Sequence, residues 1–206
     1  SRGSKMAGLL SNFRNTVILS VVLALIMVFA YSQSPQGVDA AFWQAVFRWM
    51  HTFFGILWIG LLYYFNFVQI RKMPEIPAEL KPAVSKYIAP EALFWFRWAA
   101  LLTVLMGLIL AYARGVDYAH ETLTLGLFNG YGAGDRGYTL MGLGIIMFIN
   151  VWAFIWPNQK IALGIVDADA DAKAKAGRVA MLFSRTNLLL SIPMLTSMTM
   201  TQTLFG

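Results

Sequence analysis

Two histidines are the residues of this chain best suited to hold a metal cofactor, and their surroundings differ. His51 lies within a long apolar segment, whereas His120 lies in a stretch rich in Gly, Asp and Tyr. Ionisable residues inside membrane-type apolar segments are functional candidates by default, and a neutral imidazole is a common axial ligand of haem iron. We therefore predict that His51 ligates haem iron. The alternative is a buried histidine that is hydrogen-bonded to a neighbouring helix.

The residues that follow His51 favour a flat ligand. Gly55 and Trp58 share a face with His51 at helical spacing, and Gly55 would let a flat ring approach the backbone. If one ring nitrogen of His51 binds iron, the other should donate to a carbonyl or carboxylate oxygen. His120 is a second cofactor-binding candidate, because bis-histidine ligation would need both histidines. Its alternative is an exposed loop histidine, in which case water or a methionine would stand opposite His51.

Two arginines form a second candidate site. Arg97 and Arg185 both lie inside apolar segments, and Glu91 is the only acidic residue in the same half of the predicted helices. A buried guanidinium is costly unless it is paired. The imbalance indicates an anionic guest: haem propionates, an anionic substrate or a lipid phosphate. Asn150 and Asn187 would complete such a pocket or merely join helices, and the alternative for the arginines is snorkelling towards the headgroups.

Long apolar helices are needed to position these residues. The chain is 58% hydrophobic and 13% charged, whereas a soluble domain has about 25% charged residues, and about 20 apolar residues cross a bilayer core. We predict an all-α integral membrane bundle, formed as a single domain over residues 1–206. Its five transmembrane helices are expected at about 16–31, 40–70, 90–113, 138–156 and 178–203. A cleaved signal peptide is the alternative for the first of these segments.

The distribution of lysine and arginine sets the expected orientation. The amino-terminal tail has three. The loop between helices two and three has four, and so does the loop between helices four and five when Arg178 at the start of helix five is counted. The loop between helices one and two has none, and the loop between helices three and four has two. Because cytoplasmic loops are enriched in these residues, we predict a bacterial inner (cytoplasmic) membrane protein with a cytoplasmic amino terminus. Both histidines then lie on the outer side of the membrane.

Composition also excludes several functional classes. The chain has no cysteine, which rules out disulfides, thiolate metal sites and iron–sulfur clusters. The net charge of +6 does not form a basic stripe with interleaved aromatics, so no nucleic acid is expected as a partner. No nucleophile–base pair or phosphate-binding glycine loop is visible, and no catalytic residue is predicted. The chain shows no internal inverted repeat, which disfavours an anion transporter.

Several longer motifs occur in order over about residues 45–200. They are MHTFFGILWIGLLYYFNF at 50–67, IAPEALFWFRW at 88–98, WPNQK at 156–160, SRTN at 184–187 and LSIPM at 190–194. Together they resemble the membrane domain of bacterial urate hydroxylases, the urate oxidase N-terminal family. The helix with His51 and Trp58 is also similar, more weakly, to haem-binding membrane families such as the oxygen-independent protoporphyrinogen oxidase.

The resemblance implies a redox-type membrane protein, with urate as a substrate by resemblance only. The larger urate hydroxylases carry a cytochrome c domain after this region, whereas this chain has no Cys-x-x-Cys-His motif for covalent haem. We therefore expect a short form that binds haem b and works with partner membrane proteins or a separate cytochrome. The alternative is a non-catalytic accessory subunit of a larger membrane complex.

Overall fold

The computed structural model describes residues 2–127 and 138–204, for residues 138 and 139 in backbone only. Every regular element within these residues is helical, which confirms the predicted all-α fold. The helices are α1 (Arg2–Leu10), α2 (Phe13–Ser32), α3 (Ala40–Glu75), α4 (Lys81–Arg114), α5 (Val116–Leu123), α6 (Leu140–Ala162) and α7 (Ala170–Leu204). All of them except α1 and α5 are long and apolar enough to cross a membrane. The protein is therefore a multi-pass membrane protein in contact with a lipid bilayer.

The chain divides into two compact units, residues 1–46 and 47–206. In the first unit, the side chain of Asn12 caps α2 by accepting a hydrogen bond from the Asn15 amide at 3.1 Å. Thr16 Oγ1 donates to the Leu9 carbonyl of α1 at 3.2 Å and ties the two helices together. No residue of α2 is buried in the structure, so this helix, which is apolar on all sides, is open to contact with lipid. The single membrane domain expected from the sequence stays a prediction.

The second unit has a core of large apolar side chains from α3, α4 and α6. The most deeply buried of these are Trp58, Leu62, Phe96, Met147 and Val151. The buried face of α7 instead carries mostly small and polar residues: Ala176, Ala180, Ser184, Asn187, Ser191, Met194, Ser197 and Thr201. Small residues let transmembrane helices approach closely, and polar ones bond across the interface. α7 therefore packs through close approach and hydrogen bonds more than through bulky side chains.

Three of the membrane-crossing helices contain a π-helical segment. The segments are Tyr64–Gln69 in α3, Val84–Ile88 in α4 and Asn150–Ile155 in α6. A π-turn accommodates one extra residue, and such segments often occur at functional positions. Because each segment shifts the side-chain register, a helix face counted at 3.6 residues per turn does not continue through it.

All five membrane-crossing helices are longer than predicted, and α4 begins at Lys81 instead of about Pro90. α6 was expected to stop before Pro157, but it continues to Ala162. Pro157 lies in the first turn of the α-helical segment Trp156–Ala162, which follows the π-helical segment, and a proline in a first turn is well tolerated. α7 begins at Ala170 because Asp169 caps it, its Oδ1 accepting from the Ala172 amide at 2.7 Å.

The predicted loop between α4 and α6 also contains regular structure. Helix α5 occupies Val116–Leu123, directly after Gly115. Gly115 has φ of +142°, a backbone conformation that favours glycine and lets the chain turn sharply out of α4. Residues 128–137 of the same predicted loop lie outside the described residues.

Candidate functional site

A cavity of about 750 Å³ lies in the second unit, between α3, α4, α5, α6 and α7. Its walls come from residues 48–63 of α3 and 103–114 of α4, and from residues 194–202 of α7. The cavity thus occupies the end of the unit at which α4 and α7 terminate. Small-molecule and cofactor sites typically measure about 300–1,000 Å³, so the volume suits a cofactor or a substrate of that size.

His51 lines this cavity with one ring nitrogen already bonded. Nδ1 lies 2.7 Å from the Thr103 carbonyl oxygen of α4, and a carbonyl oxygen can only accept, so Nδ1 carries the hydrogen. In the neutral ring Nε2 then keeps its lone pair, which is the form of imidazole that binds metals. Within the described residues no side chain or backbone group is hydrogen-bonded to Nε2. A ring nitrogen donating to a carbonyl is the orienting contact that the sequence predicts for a haem ligand.

Gly107 makes the close approach between His51 and α4 possible. A Cβ atom on Gly107 would lie 2.8 Å from Cε1 and 2.9 Å from Nδ1 of His51, distances that real Cβ contacts essentially never show. One turn after His51, a Cβ atom on Gly55 would have ordinary contact with Thr103 Cγ2 at 3.6 Å. The imidazole therefore lies in a slot on α4 that is open because residue 107 has no side chain.

The walls around His51 are mostly apolar. Trp58 lines the cavity as predicted, with 1% of its surface exposed, and its indole Nε1 is buried without a hydrogen-bond partner among the described residues. Three methionines line the same space: Met141, Met194 and Met198. An apolar cavity with a free imidazole nitrogen and thioether sulfurs offers groups that could hold a flat apolar cofactor. Haem b as that cofactor stays a prediction.

Two arginines that the sequence did not single out also line the cavity. Arg48 and Arg114 come from α3 and α4, and no acidic residue lies among the described lining residues. Thr52, Thr122 and Gln202 add uncharged polar groups. The spacing of Arg48, three residues before His51, was the one available signal, because residues at i and i+3 of a helix are neighbours. Arg114 gave no such signal, since it lies at the end of an apolar span.

His120 does not line the cavity. It is exposed on α5, where its ring meets the edge of Tyr112 at 6.0 Å between centroids. The same helix turns Tyr118 and Thr122 towards the cavity, and burial raises the pKa of the Tyr118 phenol, so that it stays protonated at neutral pH. The Tyr118 hydroxyl donates to the Met141 sulfur at 3.7 Å. The structure thus does not bring the two histidines into one site.

Arg97 and Arg185 also lie away from the cavity. The Arg97 guanidinium carbon is 3.8 Å from the Trp156 ring centroid, a cation–π contact, and its Nη1 is buried without a partner among the described residues. Arg185 is partly buried on α7. Glu91 is exposed, with Oε1 accepting from Trp95 Nε1 at 3.0 Å. The described residues show no ion pair between either arginine and Glu91.

The two asparagines of the predicted arginine pocket bond to each other. Asn150 Nδ2 donates to Asn187 Oδ1 at 2.9 Å, and Asn187 Nδ2 donates to the Met147 carbonyl at 3.1 Å. Nearby in sequence, Ser184 Oγ of α7 accepts from Asn66 Nδ2 of α3 at 2.9 Å. These contacts join α3, α6 and α7, as in the alternative in which the asparagines connect helices.

A polynuclear or multi-ligand metal centre has no support in the described part of the chain. Residues 2–127 and 138–204 contain no group of three or more His, Asp or Glu side chains placed to hold a metal ion.

Comparison of the chain with protein-family models, with curated proteins and with solved structures found no match. The resemblance to the membrane domain of urate hydroxylases therefore stays a prediction.

Proposed function

We propose that this chain is a redox-type membrane protein that binds haem b in the cavity, where His51 Nε2 would bind the iron, and that it works with a separate partner protein. The observation that carries the proposal is the bond from His51 Nδ1 to the Thr103 carbonyl. This bond selects the tautomer with a free Nε2 and orients the ring, as second-sphere partners of metal-bound histidines do. Bound haem b supplies one-electron chemistry at its iron.

The residues of the chain have separate tasks in this proposal. His51 binds the iron, and the Thr103 carbonyl holds the imidazole in place. Gly107 leaves room for the ring against α4. The buried walls formed by Trp58 and Ile59, which are 1% and 7% exposed, exclude water and keep the local dielectric low, a condition that affects the reduction potential of a haem.

The proposed location is the bacterial inner membrane with a cytoplasmic amino terminus. In support, the end of α3 and the start of α4 together carry four Lys and Arg, namely Arg71, Lys72, Lys81 and Lys86, and the start of α7 carries Lys173, Lys175 and Arg178. The segment between α2 and α3 carries none. This orientation puts the cavity on the outer side, where a partner cytochrome would meet it. Reporter fusions after Asp117 and after Lys173 should report opposite sides, with Lys173 cytoplasmic. The same side for both would contradict the topology.

The haem proposal is tested with His51→Ala. We expect the wild-type protein, purified from membranes in mild detergent, to show a reduced-minus-oxidised haem b spectrum. His51→Ala should lose that spectrum or shift it strongly, because the variant lacks the iron ligand. His120→Ala is the matched control and should keep the wild-type spectrum, because His120 is exposed outside the cavity. Both variants should insert normally, since insertion depends on the apolar spans and loop charges.

Two results would contradict the haem proposal. One is unaltered haem content in His51→Ala. The other is a wild-type protein that carries no haem and binds none when haem is added. A colourless protein would favour the non-catalytic accessory subunit expected as the alternative from the sequence.

A further inference from the structure

We infer that Arg48 and Arg114 form a carboxylate-binding end of the cavity, so that its ligand is an amphipathic carboxylate with an apolar body. The inference rests on the proposed function in one respect: for haem b, the carboxylates are the two propionates. Arg48 and Arg114 take the place of Arg97 and Arg185, the arginines that the sequence suggests for an anionic group.

The charges around the cavity are all of one sign. Arg48 and Arg114 both line it, and the described lining residues include no aspartate or glutamate. Arg48 is partly buried, and low-dielectric walls strengthen the field of such a cation, whereas Arg114 is exposed. A neutral ligand would leave that field uncompensated, whereas a carboxylate neutralises it. The cavity therefore favours an anionic ligand over a neutral ligand of the same shape.

Neither arginine has an ion-pair partner in the described part of the chain. The ion pair found there joins Lys72 to Glu75 at 2.9 Å, and no carboxylate of residues 2–127 or 138–204 lies within 4 Å of Arg48 or Arg114. Arg114 instead has its guanidinium carbon 4.7 Å from the ring centroid of Tyr118, another lining residue. This stacking leaves the N–H groups at the guanidinium edge available for the bidentate bonds that arginine forms with carboxylates.

The two arginines are also placed to act together with the histidine slot. Arg48 precedes His51 by three residues on α3, and Arg114 follows Gly107 by seven residues on α4. Both spacings keep residues on one helix face. The two guanidiniums therefore lie further along the same faces that carry His51 and Gly107. A ligand whose apolar body contacts the slot would direct its carboxylates towards the arginines.

The other residues that line the cavity are mostly apolar. They include Trp58, Ile59, Val104, Ile145, Met194 and Leu195, whereas Thr52, Tyr118, Thr122, Thr199 and Gln202 add uncharged polar groups. An apolar cavity that also carries two arginines suits a ligand with an apolar body and carboxylates, and a porphyrin with two propionates is such a ligand.

The experiment uses porphyrins that contain no iron, so that His51 cannot act as an iron ligand. Metal-free protoporphyrin IX and its dimethyl ester are titrated into the purified protein in neutral detergent micelles, with quenching of tryptophan fluorescence as the measurement. We expect the diacid to bind at least about tenfold more tightly than the diester, which corresponds to about 1.4 kcal/mol. The comparison needs no variant, so it cannot fail through misfolding.

Substitutions then assign the preference to the two arginines. Arg48→Gln/Arg114→Gln should bind the diacid and the diester equally, and Arg48→Lys/Arg114→Lys should restore part of the preference, since lysine keeps the charge. Arg71→Gln is the matched control, because Arg71 is an exposed arginine of α3 outside the cavity. Because the titrated porphyrins contain no iron, the preference does not depend on iron ligation by His51, which separates this inference from the haem proposal.

Three outcomes would overturn the inference. They are equal binding of diacid and diester by the wild type, an unchanged preference in the double glutamine variant, and no binding of the diacid. An anionic lipid headgroup offers similar charge, so phosphatidylglycerol is added to the micelles as a competitor. Displacement of the diacid that depends on Arg48 and Arg114 would identify a lipid as the occupant and overturn the assignment to a porphyrin carboxylate.

Discussion

Two polar regions of the second unit complete their hydrogen bonds in different ways. In the asparagine layer, which comprises Asn66, Asn150, Ser184 and Asn187, side chains bond to one another and to backbone carbonyls. At the cavity end, which comprises Arg48, His51, Gly107 and Arg114, polar groups border open space instead.

The difference shows how polar groups that hold helices together can be distinguished from polar groups that bind a ligand inside a membrane protein. Polar groups that are buried in apolar surroundings are costly unless they are paired. In the asparagine layer most of that pairing is internal, and Asn66 Oδ1 is the exception among its described side-chain atoms. At the cavity end the pairing is left to a ligand. Substitutions in the first region should therefore change stability, and substitutions in the second should change binding.

The largest effect is expected from Gly107→Ala. The added methyl group would lie within 3 Å of the His51 ring, so the imidazole must leave its slot and its bond to Thr103. We expect the affinity for haem to fall at least about tenfold. This fold-change corresponds to a loss of about 1.4 kcal/mol in binding free energy. Haem content per protein after gel filtration is the measurement.

Gly60→Ala is the matched control for this substitution. Gly60 also lines the cavity, but a Cβ atom there meets nothing within 4 Å. It should therefore keep wild-type haem content. Equal loss in the two variants would show that the His51 slot has no special role.

The next largest effect is expected from Asn187→Ala in the asparagine layer. Asn187 is fully buried, and its loss leaves Asn150 Nδ2 without its acceptor. Hydrogen bonds between transmembrane helices contribute about 0.6 kcal/mol on average and up to about 1.7, so we expect the free energy of unfolding in detergent to fall by about 1–2 kcal/mol. The neighbouring exposed Thr186→Ala should change it little. A loss of porphyrin binding without a loss of stability would contradict the division into two regions.

A smaller effect is expected from Arg97→Gln. This substitution removes the stacking of the guanidinium on Trp156, a contact worth about 0.5–1 kcal/mol at a partly exposed site. It also removes a buried N–H that has no partner among the described residues, which offsets part of the loss. The diacid-over-diester preference should stay unchanged in the porphyrin titration. If the preference disappeared, the anion site would belong to Arg97, as the sequence first suggested.

The smallest effect is expected from the pH dependence of Asp39, in the first unit. A hydrogen bond from Gln36 Nε2 at 2.7 Å, followed by the Phe42 amide at 2.8 Å, lowers the pKa of the Asp39 carboxyl. A carboxyl with a lowered folded-state pKa stabilises the fold above its unfolded pKa of about 4. That contribution is lost as the pH falls through the folded-state pKa.

Hydrogen exchange at the Phe42 amide measures this effect. Its protection factor should be constant at neutral pH and should fall below about pH 4, near the unfolded pKa of the carboxyl. Asp39→Asn should retain protection without the pH dependence, because asparagine also caps helices. A pH-dependent protection factor in Asp39→Asn would assign the titration to another group. Asp39→Asn should not alter the two regions of the second unit.

The sequence was sufficient for the fold class, and it singled out the histidine that lines the cavity. The apolar segments define five spans because bilayer thickness sets their length, and the structure has five helices of that kind among its described residues. His51 could be singled out because an imidazole inside such a span is rare. Its alignment with Gly55 and Trp58 was predictable because α3 is regular from Ala40 to Tyr63.

The arginines of the cavity could not be chosen from the sequence for a physical reason. Arg48 and Arg114 lie near helix ends, where a charge needs no explanation, whereas Arg97 and Arg185 lie deeper and attract notice. Which of them faces a cavity depends on how each helix is rotated in the bundle, and that rotation is set by packing between helices, which a pattern along one helix does not specify. Helix α5, which turns Tyr118 towards the cavity, follows a glycine-induced turn that local patterning did not reveal.

The partner of His51 on α4 is a backbone carbonyl, and this affects how the site can change during evolution. A side-chain acceptor would be lost through a single codon change, whereas the carbonyl of residue 103 is present with any amino acid at that position. The Thr103 side chain is itself committed elsewhere, with Oγ1 donating to the Ala99 carbonyl at 2.6 Å. The backbone of α4 therefore determines the orientation of the imidazole, and selection need preserve only a histidine at 51 and a glycine at 107.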